Sequence, residues 1–247
     1  ISIYDKEFTK YFLIILFKMS QKFTVLVDLD GTIVDTAPDL MNAHNYVMKK
    51  FGYETKTTEE IRNLVGKGAG ALIGRSIWGT AKKEFGKISD KKVKDEMVKD
   101  FIDYYGKNIV NESKIIDGVI EFLKWSKQNG ISLAVCTNKQ EHLAIDLLKK
   151  IKIFDYFEYV AGSNTFDYCK PDPRHLTSVI EILQGDIKKS LMIGDSETDS
   201  AAANSANLPF ILLEDGYTDK KVSEIPHDHL VTNFQGIEKI VSKYLNT

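Results

Sequence analysis

The stretch Phe23 to Thr36, FTVLVDLDGTIVDT, constrains this chain more than any other part of it. Five apolar or β-branched residues, Phe23 to Val27, run into Asp28, and Asp30, Gly31 and Thr32 follow. An apolar run of this length, rich in Val and Leu, is the pattern of a strand covered on both faces, as in parallel sheets. It ends at a carboxylate because an unpaired charge is costly in a covered strand. Gly31 lets the backbone turn sharply there. Two acidic side chains therefore emerge together at the carboxyl edge of a sheet, where open α/β folds bind ligands. Acids paired in such a place hold a divalent cation, do acid–base work, or both.

From Asp117 onward the chain alternates helix and strand patterns. GVIEFLKWSKQNG is an amphipathic helix with Val119, Phe122, Leu123 and Ser126 inward, ending at Gly130. Strands are expected at 131–136, in FEYVAG, at 190–193, at 209–213 and at 229–232, with helices between them and a closing helix over 236–245. Such alternation implies a parallel sheet with helices on both faces.

Between these parts lies an insert with no convincing strand. Pro38 opens a helix with Leu40, Ala43, Tyr46 or Val47, and Phe51 on one face, and Gly52 ends it. Thr57 or Thr58 with Glu60 caps a second, short helix. A long helix is expected over Ile88 to Tyr105, capped by Ser89 or Asp90, with charges that alternate in sign on a solvated face. The expected domains are a core of residues 23–36 and 114–247 and, inserted in it, a small helical bundle of residues 37–113. Residues 1–22 form an amino-terminal extension. Its apolar run, Tyr11 to Phe17, is too short to span a bilayer, and Met19 is expected to be the natural start or close to it.

Three places in the second half carry chemistry. Thr137-Asn138 follows a strand and offers a hydroxyl and amides suited to a phosphate oxygen, although such a pair alone is an ordinary turn. Lys170 stands in CKPDPRHL, where Pro171 and Pro173 stiffen the loop and hold the ammonium as a point charge; a loop lysine alone is commonly solvated. In LMIGDSETD a strand again ends on Gly194 and Asp195, with Asp199 one helical turn on. Capping of a helix explains Asp195 in part. In the insert, the run Gly66-Lys67-Gly68 offers backbone amides and a cation to an anionic group, and Arg75 offers a fork to a carboxylate. Neither is more than a surface cation on its own. No role is assigned to the histidines, which lack metal-binding spacing.

The ordered set of Asp28-Leu29-Asp30, Thr137-Asn138, Lys170-Pro and Gly194-Asp195 to Asp199 resembles the four motifs of the haloacid dehalogenase-like superfamily, over residues 23 to 235. Within it, D-G-T-I-V-D-T, V-G-K-G-A-G-A-L-I-G-R, T-N-K and K-P-D-P-x-x-L are similar to the phosphoglycolate phosphatase family. The resemblance implies a Rossmann-like core with an α-helical cap. It implies Asp28 as nucleophile, Asp30 as acid and base, and Lys170 as the cation that offsets charge. It also implies phosphate held by Thr137 and the amides of Leu29 and Asn138, and Mg²⁺ held by Asp28, Asp195 and the carbonyl of Asp30. Asp199 would orient Lys170 or a metal-bound water. The implied reaction is hydrolysis of a small phosphorylated metabolite, 2-phosphoglycolate first. Pyrophosphate, nucleotides or sugar phosphates are alternatives, as is a sugar phosphomutase. A phospho-accepting receiver module is the non-enzymatic alternative, but its acids lack the D-x-D-G-T spacing.

Composition narrows partners. A net charge of −2 and a pI near 6.3 give no electrostatic case for nucleic acid, and no stretch is long enough to anchor the chain in a membrane. Cys136 and Cys169 fit neither a disulfide framework nor a zinc site and read as reduced thiols in a cytoplasmic protein. A monomer and a homodimer remain open.

Overall fold

The computed structural model describes residues 22–78 and 88–245. The expectations for residues 1–21, including Met19, and for the capping side chains of Ser89 and Asp90 lie outside the described residues.

Strand β1 (Thr24–Val27) is buried along its whole length. The chain then turns through Gly31, whose φ of +81° belongs to the left-handed region, into the two-residue strand β2 (Val34–Asp35). Helices α1 (Ala37–Phe51), α2 (Thr58–Arg62), α3 (Ala69–Trp78) and α4 (Ile88–Lys107) follow. They lead to β3 (Lys114–Ile115), which runs antiparallel to β2 with Val34 opposite Ile115 and Asp35 opposite Lys114. The inserted helices thus leave and return through one small ribbon.

Local signals explain these helices. Proline lies in the first turn of α1, and Gly52 ends it at φ 77°. Leu40, Ala43 and Val47 are buried, whereas Tyr46 is 46% exposed, so Val47 supplies the inward contact. Thr57 and Glu60 make the expected capping box at α2. Asp39 is buried and accepts from the amides of Glu112 (3.0 Å) and Ser113 (2.9 Å), which ties the returning chain to α1.

The alternation expected after Asp117 begins as α5 (Val119–Gln128), β4 (Ser132–Cys136), α6 (Glu141–Lys150) and β5 (Tyr159–Ala161). The chain continues as α7 (Arg174–Ile182), β6 (Ser190–Gly194), α8 (Glu197–Ser205), β7 (Phe210–Leu213), β8 (His229–Val231) and α9 (Ile237–Leu245). The alternation is present up to β7, with only a 3-10 turn at Val222–Glu224 between β7 and β8. The sheet has six strands in the order β5-β4-β1-β6-β7-β8. Every neighbouring pair is parallel. This is an α/β, Rossmann-like fold.

Side chains alternate across the sheet. Val25, Val27, Val135 and Ile193 join one apolar cluster with α5, α6, α9 and the inserted helices. Leu26, Ala134, Met192 and Phe210 join the other with α7 and α8. Each fully buried Val, Leu or Ile contributes about 1.5–3 kcal/mol relative to exposure. Among the described residues no helix is long and apolar enough to cross a membrane.

Candidate active site

From β1 the chain goes outward to β4 and β5, then crosses back to β6 on the other side of β1, so the order of the sheet reverses at β1. A crevice opens at the carboxyl ends of strands at such a reversal. Asp28 lies just past β1, Thr137 just past β4 and Asp195 just past β6. The parallel register aligns Val27 with Val135 and Ile193, and so brings the three following residues to one rim.

Oxygens of Asp28, Asp195 and Asp199 all lie within 4.8 Å of one another, and all three residues are buried. Lys170 enters from the loop before α7, 2.6 Å from Asp199 Oδ1 and 2.9 Å from Asp28 Oδ1, with its side chain 1% exposed. Apart from this ion pair, Asp28 Oδ1 has no hydrogen-bond partner among the described residues. Burial pushes the Asp28 carboxyl up to about 6 against the pull of Lys170. Burial likewise holds Asp195 well above the usual carboxylate range, and the charges of Asp199 and Asp28 add to it. Burial works against the charge on Lys170, but Asp199 and Asp28 outweigh it and hold the ammonium above its ordinary value.

The donor set fits a hard cation. Asp199 is already committed, because Oδ1 takes Lys170 and Oδ2 accepts from the amides of Asp195 and Ser196 and the hydroxyl of Ser196. Asp195 accepts from Thr32 Oγ1 (2.9 Å) and from the amide of Tyr217 (2.6 Å), one bond on each oxygen. It therefore keeps lone pairs, as Asp28 does. Two carboxylates with spare oxygens in a buried anionic cluster are ligands that Mg²⁺ or a similar ion prefers. Gly31 completes the packing: a Cβ there would collide with Asp195 Oδ2 and the Tyr217 ring.

Above this rim lies a cavity of about 290 Å³. Its floor includes Asp28, Asp30, Thr137, Asn138 and Lys139, and its roof comes from Gly66, Lys67, Gly68 and the inserted helices. Asn138 joins the two parts, donating from Nδ2 to the carbonyls of Gly66 (2.9 Å) and Lys170 (3.0 Å). Leu29 is fully buried behind the rim. Lys67 lines the cavity but is ion-paired to Glu197 at 2.7 Å. Arg75 is held by the carbonyls of Leu64 and Asn63 and by Asp219 at 2.7 Å, and does not line the cavity. The helix after β6 is capped by Ser196, not by Asp195 as expected, and the Asp195 carboxylate accepts from Thr32 and Tyr217 instead.

Sequence reasoning gave no role to Lys139, Tyr105 or Tyr217. Lys139 is 5% exposed and donates to both oxygens of Asp30 at 2.8 Å. Only its position beside Thr137-Asn138 hinted at this. Tyr217 pins Asp195 by its amide, while its hydroxyl donates to Asp35 and accepts from the amide of Ala37. Nothing in its sequence neighbourhood signals that bridge.

His175, on α7, is buried, and burial with the nearby Lys170 charge pushes its imidazole down to about 4. The unfolded chain takes up this proton below about pH 6.5 and the folded chain only below about 4. The stability it contributes is therefore present above pH 6.5 and lost as pH falls toward 4, by up to about 3 kcal/mol. His175→Phe should flatten that acid slope in denaturant titrations. An unchanged slope would assign the acid sensitivity elsewhere.

The family model for haloacid dehalogenase-like hydrolases matches residues 25–213, and the chain belongs to this family. Within it the chain is a phosphatase. It is 38% identical over 223 residues to the phosphoglycolate phosphatase of Agrobacterium fabrum, across 88% of this chain and 94% of that one. It is 35% identical over 213 residues to that of Mesorhizobium japonicum, across 86% and 92%. Among solved structures it is similar to a predicted phosphoglycolate phosphatase from Haemophilus somnus 129PT, with a TM-score of 0.80 and 29% identity over 90% of this chain and 99% of that one.

Proposed function

We propose that the chain hydrolyses small phosphomonoesters, 2-phosphoglycolate foremost, to the alcohol and phosphate through a phospho-aspartate at Asp28. The observation that carries this is the setting of Asp28: a buried carboxylate at a cavity floor, with Oδ1 ion-paired to the buried Lys170 ammonium at 2.9 Å. The cavity of about 290 Å³ lies at the bottom of the range for small-molecule sites and suits a two-carbon phosphoester better than a nucleotide. The names of the relatives support the same substrate.

In this reading residues 23–36 and 114–247 do the chemistry, and residues 37–113 act as a cap that excludes water and selects the substrate. Asp28 attacks phosphorus, an Asp28–phosphorus bond forms, and the ester oxygen leaves with the proton of Asp30. Asp30 then takes a proton from the water that attacks the phospho-aspartate, which frees phosphate and restores Asp28. Lys170, held by Asp199, offsets the repulsion between carboxylate and phosphate. Thr137 and the amides of Leu29 and Asn138 hold phosphoryl oxygens. Asp28, Asp195 and the carbonyl of Asp30 would hold Mg²⁺, which supplies charge neutralisation at the phosphoryl group when bound. Free thiols at Cys136 and Cys169 suit a cytoplasmic setting.

Phosphate release should be highest on 2-phosphoglycolate in a panel with sugar phosphates, nucleotides and pyrophosphate; another clear favourite overturns the substrate. EDTA should silence release from a generic aryl phosphate and Mg²⁺ should restore it. Turnover that persists in EDTA removes Asp195 from the metal set.

A further inference from the structure

We propose that Lys139 and the Tyr105 hydroxyl form a subsite for a carboxylate carried beside the substrate's leaving oxygen, so that the cavity selects phosphoesters of 2-hydroxy acids. This rests on the phosphatase reading above, in which Asp30 faces the leaving oxygen. In such an ester the carboxylate hangs on the carbon that bears that oxygen. The cation nearest to it is then the one bonded to Asp30, and that is Lys139, at 2.8 Å from both Asp30 oxygens.

Three observations converge on this pair. An ammonium has three donors; Lys139 makes two hydrogen bonds, both to Asp30, and no third among the described residues. Tyr105, on α4, lines the same cavity, is 1% exposed, and its hydroxyl has no hydrogen-bond partner among the described residues. The Lys139 ammonium lies 4.5 Å from the Tyr105 ring centroid, so a core residue and an inserted-helix residue meet across one spot. Asp30 also keeps another partner, Thr36 Oγ1 at 2.6 Å, when the ammonium is shared with a ligand. The surrounding wall is apolar, with Leu72, Phe101 and Leu143, which strengthens a charge-assisted bond. The cations expected from the sequence are engaged elsewhere: Lys67 with Glu197, and Arg75 with Asp219.

The test compares two non-hydrolysable ligands by calorimetry on the full chain with Mg²⁺. One is 3-phosphonopropionate, the methylene isostere of 2-phosphoglycolate. The other is propylphosphonate, of equal length without the carboxylate. The wild type should bind the first tighter by about tenfold or more. Lys139→Met should level the two, and Tyr105→Phe, which keeps every carbon and is expected to fold, should narrow the ratio. A merely structural role for Lys139 would weaken both ligands together and leave the ratio unchanged, which overturns the subsite. So does a wild type that fails to favour the carboxylate ligand, or that binds neither while still hydrolysing phosphoesters. Absence of turnover on any phosphoester overturns the phosphatase reading instead.

Discussion

Asp28→Asn is expected to lower phosphate release by about a thousandfold or more while the chain stays folded and loses no stability. The amide has the shape of the carboxylate but cannot form the covalent bond to phosphorus that the proposed mechanism requires. Stability should hold because burial already disfavours the Asp28 charge and pushes its carboxyl up to about 6. Lys170 keeps Asp199 as a partner at 2.6 Å in the variant. The sign of the pH effect follows. A carboxyl raised from 3.8 to about 6 binds its proton more tightly in the folded state, so its contribution is lost as pH rises between those values. That slope should vanish in Asp28→Asn. Retained turnover would remove the nucleophile assignment; a large fall in melting temperature would make Asp28 a structural residue.

Lys170→Met should cost both activity and stability. Its side chain is 1% exposed and lies between Asp28 and Asp199. Taking one charge out of such a buried cluster leaves the others uncompensated, at about 3–5 kcal/mol. That is a large share of the roughly 5–15 kcal/mol by which a domain is stable. Adding Asp199→Asn to the variant should recover part of the stability in denaturant titrations, and none of the turnover. A Lys170→Met protein as stable as the wild type would mean that the three charges do not act as one cluster.

Much of this arrangement was legible from the sequence. Buried parallel strands announce themselves as apolar runs. An acid at the end of two of them, Asp28 and Asp195, is costly to bury and so points to a ligand or to chemistry. Parallel register then delivers both to one rim without any further signal. Helix ends at Gly52 and Thr57 were legible for the same local reason: the cap chemistry lies within a few residues of the boundary. Contacts made across the fold were not. Lys139 meets Asp30 across 109 residues of chain and Tyr217 meets Asp35 across 182, and no pattern within a short window encodes either. Arg75 carries the opposite lesson. A guanidinium beside a glycine run looks available in sequence, but the carbonyls of Asn63 and Leu64 and the Asp219 carboxylate hold it in place.

The antiparallel ribbon of β2 and β3 has a consequence for how such a chain diversifies. Val34 and Ile115 are paired neighbours, so the whole excursion between them begins and ends at adjacent points. Its length and make-up can drift, or be exchanged between lineages, without shifting the strands that carry the acids. In the proposed reading, the residues that do the chemistry and those that choose the substrate thereby sit on parts of the chain that can vary separately.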